Sequence, residues 1–146
     1  MELILWRHAE AEDGIPDMAR KLTAKGEKQA GKMAAFLRTR LPQDTRILAS
    51  PSLRTQQTVS ALTKHFNTEP GIGPGADPQA VLKAAGWPDG EGDVLVVGHQ
   101  PYLGQIAALL MAESDTSFSI KKGAIWWFSN RNRETVLRLA IAPDLL

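Results

Sequence analysis

Short apolar runs alternate with longer stretches of helical spacing along this chain. Leu3–Trp6 is the first run. Its four apolar residues show no polar alternation, which predicts a strand buried on both faces. Thr23 stands where an N-cap belongs, and Ala30, Met33, Ala34, Leu37 and Leu41 follow at the spacing of one helical face until Pro42. Arg46–Ala49 predicts a second short strand. Ser50-Pro51-Ser52 reads as a turn into a helix with Pro51 near its first position, and Val59, Leu62, Thr63 and Phe66 continue that helix's inner face. Glu69–Ala76 is rich in Gly and Pro and predicts a loop. Asp77-Pro78 pairs a cap with a first helical position, opening a short helix to about Ala85 that Gly86 and Pro88 stop. Asp93–Val97 is the clearest strand. Pro101 opens another helix, with Leu103, Ile106, Ala107, Leu110 and Met111 on one face. Lys121-Lys122-Gly123 reads as a solvated turn. Ala124–Phe128 and Thr135–Ile141 are late strands close enough in sequence to pair antiparallel. Trp126 and Trp127 then face opposite sides, one in the core and one half exposed.

The order βαβα(α)βαββ predicts the α/β class: a single-domain three-layer sandwich, its mostly parallel sheet covered by helices on both faces, with a late antiparallel edge. At 146 residues the expectation is one domain spanning 1–146. Charge narrows the partners. Seventeen Lys and Arg stand against sixteen Asp and Glu, a net charge of +1, which speaks against a general nucleic-acid or membrane-surface binder. Any positive site must be local. Cysteine is absent, so disulfides, thiolate catalysis and Cys-ligated zinc are excluded. The first apolar run is short and follows an acidic second residue, unlike a signal peptide. No stretch approaches the ~18 apolar residues of a membrane span. A cytoplasmic protein is expected.

In open α/β sheets, ligands bind beyond the carboxyl ends of the strands. Arg7 and His8 follow the first strand, Ser50, Pro51 and Arg54 the second, and Gly98, His99 and Gln100 the third long one. Two arginines beside a helix start make an anion site, because guanidinium groups match phosphate oxygens and a helix N-terminus presents free N–H groups. A neutral histidine there can attack phosphorus. A protonated one can stabilise charge on the transferring oxygens. Gly71–Gly75 lacks nucleotide-loop spacing and is interrupted by Pro74. No Gly-x-Ser-x-Gly elbow surrounds Ser50 or Ser52. No His/Asp/Glu spacing resembles a metal site, so neither a metal nor a cofactor is expected.

Four motifs stand in order: Arg7-His8-Ala9; Leu22-Thr23 with Gly26 and Gln29-Ala30; Ser50-Pro51 with Arg54 and Gln57-Thr58; and Val97-Gly98-His99-Gln100-Pro101. Together they resemble the histidine phosphatase (phosphoglycerate mutase-like) superfamily, in its small SixA-type phosphohistidine phosphatase branch, over nearly the whole chain. The resemblance implies that His8 accepts a phosphoryl group, that Arg7 and Arg54 clamp it, and that His99 holds it from another side. Water then hydrolyses the phosphohistidine, without metal. Ala9 replaces the glycine of many relatives. Larger relatives also carry a carboxylic acid that protonates the leaving oxygen. Glu10, Glu12 and Asp77 are the candidates here, and none matches cleanly, which favours a labile N–P substrate over an alkyl ester. Absence of a long insertion suggests an open site. The expected partner is a phosphorylated histidine-containing protein or a small phosphorylated molecule. The alternatives are a small phosphomonoesterase acting on a metabolite and a non-catalytic phospho-ligand binding module. Gln29, Gln57 and Thr58 are expected to be structural, and His65 is given no role.

Overall fold

The computed structural model describes residues 1–146. The apolar runs form strands β1 (Glu2–Arg7), β2 (Arg46–Ala49), β4 (Val94–Gly98) and β5 (Ile125–Arg131), with the alternating β6 (Glu134–Ile141) and a two-residue β3 (Asn67–Thr68). Helices are α1 (Ala24–Arg38), α2 (Leu53–Ser60), α3 (Pro78–Ala85) and α4 (Tyr102–Ala112). All six strands belong to one sheet in the order β3-β2-β4-β1-β5-β6. β1, β2, β3 and β4 run parallel; β5 and β6 are antiparallel to their neighbours, forming the expected edge.

Strand periodicity sorts the core into two layers. Leu3, Leu5, Leu48, Val94 and Val96 face α3 and α4, meeting Val81, Leu82, Leu103 and Ile106. Ile4, Trp6, Ala49, Leu95 and Val97 face α1 and α2, meeting Met33, Ala34, Leu37 and Val59. Helices therefore cover both faces, as the element order predicts. Trp127 is buried in the second layer, while Trp126 packs half-buried against the first.

Capping matches the sequence at two helices. Thr23 Oγ1 accepts from Gly26 N at 2.9 Å, and Asp77 caps α3 with Pro78 behind it. Other expectations shift. Pro51 precedes the N-cap, which is Ser52. α2 ends at Ser60, so Leu62, Thr63 and Phe66 lie beyond it; Leu62 and Phe66 still pack partly against the second layer. α1 ends at Arg38, short of Leu41. The Glu69–Ala76 loop contains a 3-10 turn, Pro70–Ile72, that buries Ile72. Leu103, Ile106 and Ala107 are buried, Leu110 is partly buried against the first layer, and Met111 is exposed. No helix is long and apolar enough to cross a membrane.

The three central parallel strands end level. Arg7 lies opposite Gly98, and Ala49 opposite Val97. Beyond those pairs, His8 N donates to the Gly98 carbonyl and Ser50 N to the Val97 carbonyl, both at 3.1 Å. The chain leaves β1 toward α1 on one face and β4 toward α4 on the other. Divergence of this kind opens a crevice at the strand ends. At the opposite end of the sheet, buried Glu2 accepts from Trp127 Nε1 at 3.1 Å and pairs with Arg138 and Arg131. There β5 and β6 turn through Asn132 and Arg133, both with positive φ, the geometry of a tight two-residue hairpin loop.

Candidate active site

Each side chain in the crevice is placed by a strand end or a helix start. Arg7 closes β1; its Nη1 donates to the Ile120 carbonyl at 2.7 Å. His8 follows it, with Nδ1 2.7 Å from the Ala9 carbonyl. A carbonyl only accepts, so Nδ1 carries the hydrogen and Nε2 keeps its lone pair. Arg54 occupies the first turn of α2. His99 follows β4, its ring centroid 5.3 Å from that of His8. Its Nε2 lies 2.7 Å from Ser50 Oγ, while Nδ1 faces Arg54 Nη2 at 3.5 Å. The guanidinium can only donate, so that edge of His99 is the acceptor edge and Nε2–H donates to Ser50. Gly98 allows this packing: a β-carbon there would fall on the Tyr102 hydroxyl, which donates to the Ile72 carbonyl at 2.7 Å.

His8, Arg54 and His99 are only 7%, 4% and 2% exposed. The segment between β1 and α1 lies beside these residues. That segment is held by Thr58, Gln29 and Gln57, whose side chains accept from the backbone N–H groups of Ala9, Glu10 and Leu22. These three residues are structural, as their placement on helix faces suggested. The segment also carries two groups the sequence reading did not single out. Asp17 accepts from Arg54 Nη2 at 3.1 Å and from Arg20 Nε at 3.0 Å, and its backbone carbonyl accepts from Arg54 Nη1. The i,i+3 spacing of Asp17 and Arg20 just ahead of Leu22-Thr23 is the only sequence sign of this pair.

No ion pair joins Glu10, Glu12 or Asp77 to Arg7 or Arg54, although Glu10 lines a groove with Arg7. Glu10 Oε2 accepts from the Thr23 hydroxyl at 2.8 Å. Glu12 is exposed, and its backbone carbonyl accepts from Arg20. Asp77 is exposed and is used as the α3 cap. The carboxylate that does touch the site's arginines is Asp17. Slight burial raises its pKa, but hydrogen bonds from Arg20 and Arg54 lower it more, so it stays ionised at neutral pH.

Burial is also the main cause of the histidine shifts. Desolvation pushes His8 down to about 4, reinforced by the charges of Arg54, Arg7 and Arg20 and opposed by the bond to Ala9. His99 falls to about 3, through desolvation, then His8 and Arg54. Arg7 is lowered by burial and by the charge of Arg54. Arg7 and Arg54 each keep a buried Nε–H with no acceptor among the protein's own atoms. Cations that repel one another, with donors left over, form a site built for an anion.

The neutral histidines also set how stability changes with pH. The unfolded chain protonates its histidines below an ordinary pKa of ~6.5. Below that pH it binds protons that the fold refuses. Stability is then full above pH 6.5 and is lost as pH falls toward 4. Each tenfold in protonation is about 1.4 kcal/mol, so the pair costs the fold several kcal/mol at the acid end. Thermal unfolding from pH 8 to 4 should show this slope. It should be visibly shallower in His8→Asn/His99→Asn; equal slopes would refute the assignment.

Residues 3–76 match the family model for the histidine phosphatase superfamily, branch 1. The chain belongs to that superfamily. Its branch is SixA-type. The phosphohistidine phosphatase SixA of Escherichia coli strain K12 is 31% identical over 120 residues, covering 75% of this chain and 74% of that protein. A SixA homolog from Haemophilus influenzae is 33% identical over 126 residues, covering 75% and 77%. The solved structure of the protein histidine phosphatase SixA complexed with tungstate superposes with a TM-score of 0.81, at 25% identity, over 99% of each chain.

Proposed function

We propose that residues 1–146 act as one histidine phosphatase domain that hydrolyses phosphohistidine on a cytoplasmic phosphotransfer protein, through a phosphoenzyme on His8. The observation that carries this reading is the pair of unpartnered buried Nε–H groups of Arg7 and Arg54 beside two neutral histidines whose rings lie 5.3 Å apart. The SixA structure that the chain resembles holds tungstate, a tetrahedral oxyanion of phosphate's shape.

In the first step His8 Nε2 attacks phosphorus, forming an N–P bond as the substrate's N–P bond breaks. The electron pair of the broken bond leaves on the substrate's nitrogen. Ala9 fixes the attacking tautomer and takes up the hydrogen bond of the ring as it becomes cationic. Arg7 and Arg54 spread the charge of the three equatorial oxygens, with Arg20 close enough for its charge to act on His8. The anion's negative charge raises the histidine pKa values, so a protonated His99 can help balance the charge on the phosphoryl group. In the second step water attacks phosphorus, the bond to His8 breaks, and phosphate leaves.

Leaving-group chemistry favours nitrogen over an ester oxygen. A phosphohistidine ring protonated at its far nitrogen departs as neutral imidazole, so no acid is needed at the breaking bond. An alkoxide needs one, and the carboxylate held by the site's arginines, Asp17, is ionised. Metal-free turnover of a phosphohistidine protein is therefore expected to exceed that of phosphoserine and sugar phosphates by at least about 100-fold in kcat/KM, the scale of one missing acid. Equal or faster ester turnover would move the protein to metabolite hydrolysis. Tight binding of a phosphoprotein without phosphate release would make it a binding module.

A further inference from the structure

Arg7 lines a second feature as well as the crevice. A groove of about 440 Å³ runs from Arg7 past Lys25, Lys121 and Lys122. It continues into a neighbouring hollow of about 270 Å³ that shares Lys25 and adds Lys28 and Lys32. Lys25, Lys28 and Lys32 fall on one face of α1. The Lys121-Lys122 turn is tied to the nucleophile's strand end: Arg7 Nη1 donates to the Ile120 carbonyl, and Gly123 N donates to the His8 carbonyl at 3.0 Å. All five lysines are exposed, and none of them ion-pairs within the protein. Six cations with Arg7 share this concavity with two acids, Glu10 and Asp144. The whole chain carries only +1.

A solvated surface mixes its signs, whereas a cleft lined by one sign focuses its field on a ligand of the other. We infer that this lysine groove is a docking surface for an acidic segment of the phosphoprotein substrate, one that flanks the phosphorylated histidine and feeds it to His8. The inference rests on the phosphohistidine reading and names what that substrate must carry. The extent of the groove argues for a peptide or protein face, since the lysines of α1 continue beyond Arg7 by more than one phosphate can span.

The test uses labelled eleven-residue peptides centred on histidine and flanked by either glutamates or serines. Binding of the unphosphorylated peptides is read by fluorescence anisotropy, which needs no turnover. At low salt the wild-type protein should bind the glutamate peptide at least about tenfold tighter. The preference should vanish in Lys28→Glu/Lys121→Glu/Lys122→Glu and at 0.5 M salt, where screening shortens to a few ångströms. With phosphorylated peptides the same preference should appear in KM rather than kcat. Hydrolysis of free phosphoramidate should be unchanged by the substitutions. No flank preference in the wild type overturns the inference. So does a loss of free phosphoramidate hydrolysis in the triple variant, which would make the groove a subsite for small polyanions. Failure of every phosphohistidine substrate to turn over refutes the reading beneath, while the anisotropy result still decides the surface.

Discussion

His8→Ala is expected to lower turnover of a phosphohistidine substrate by about 10⁴-fold or more, the scale seen when a covalent nucleophile is removed. Rapid acid-free quenching of wild type with labelled substrate should trap an acid-labile phosphoenzyme, and the variant should yield none. The fold should survive. The ring's one direct bond is to the neighbouring Ala9 carbonyl, and the backbone of His8 keeps its bonds to Gly98 and Gly123. His8→Ala also removes one of the two groups that weaken the fold at low pH, so the variant should lose less stability on acidification than wild type. Turnover within tenfold of wild type would mean that water attacks the substrate directly. The arginines and His99 would then be the whole machine.

Arg54→Ala is the second large effect, because this one side chain joins three parts of the site. It faces His99, shares charge with Arg7, and holds Asp17 through both the carboxylate and the backbone carbonyl. Loss of an arginine that stabilises a transferring phosphoryl group costs about 10³–10⁵ in rate. Arg54→Lys should recover only part of it. A lysine restores the charge but offers a point donor where the guanidinium offers a planar fork. The expected split is a large fall in kcat with a smaller rise in KM, since Arg7 and Arg20 still attract the anion. A rise in KM alone would assign Arg54 to binding without a share in the transition state. Retention of activity within tenfold in Arg54→Ala would remove it from the site.

The sheet was legible because its strands are continuous apolar runs whose ends are marked by charged or turn residues. Arg7-His8, Ser50-Pro51 and Gly98-His99 each sit where such a run stops, and parallel pairing then brings three distant segments level. β3 gave no signal. Its two residues are polar and exposed, and only pairing with β2 defines them. The end of α2 is not legible because Leu62 and Phe66 reach the core from non-helical chain, which mimics helical periodicity. Asp17 and Arg20 were missed for a different reason. They lie in a Gly- and Pro-containing loop with no period to read, and three side-chain contacts from α1 and α2 decide where that loop rests. The i,i+3 spacing of Asp17 and Arg20 shows a local pair, but not that long-range bonds carry its carboxylate to Arg54.

The hairpin loop at Asn132-Arg133 stands at the far end of the sheet from the crevice, separated from it by the six residues of β1, about 20 Å. The chain also contains no cysteine. A thiol introduced at the exposed Glu134, beside that loop, would be the molecule's sole sulfhydryl. A copy attached through it to a sensor chip or a fluorophore would hold its recess and lysine groove toward the solution. Every tethered copy would face the same way, and the load of the attachment would fall where the fold is braced by Glu2 and its arginines.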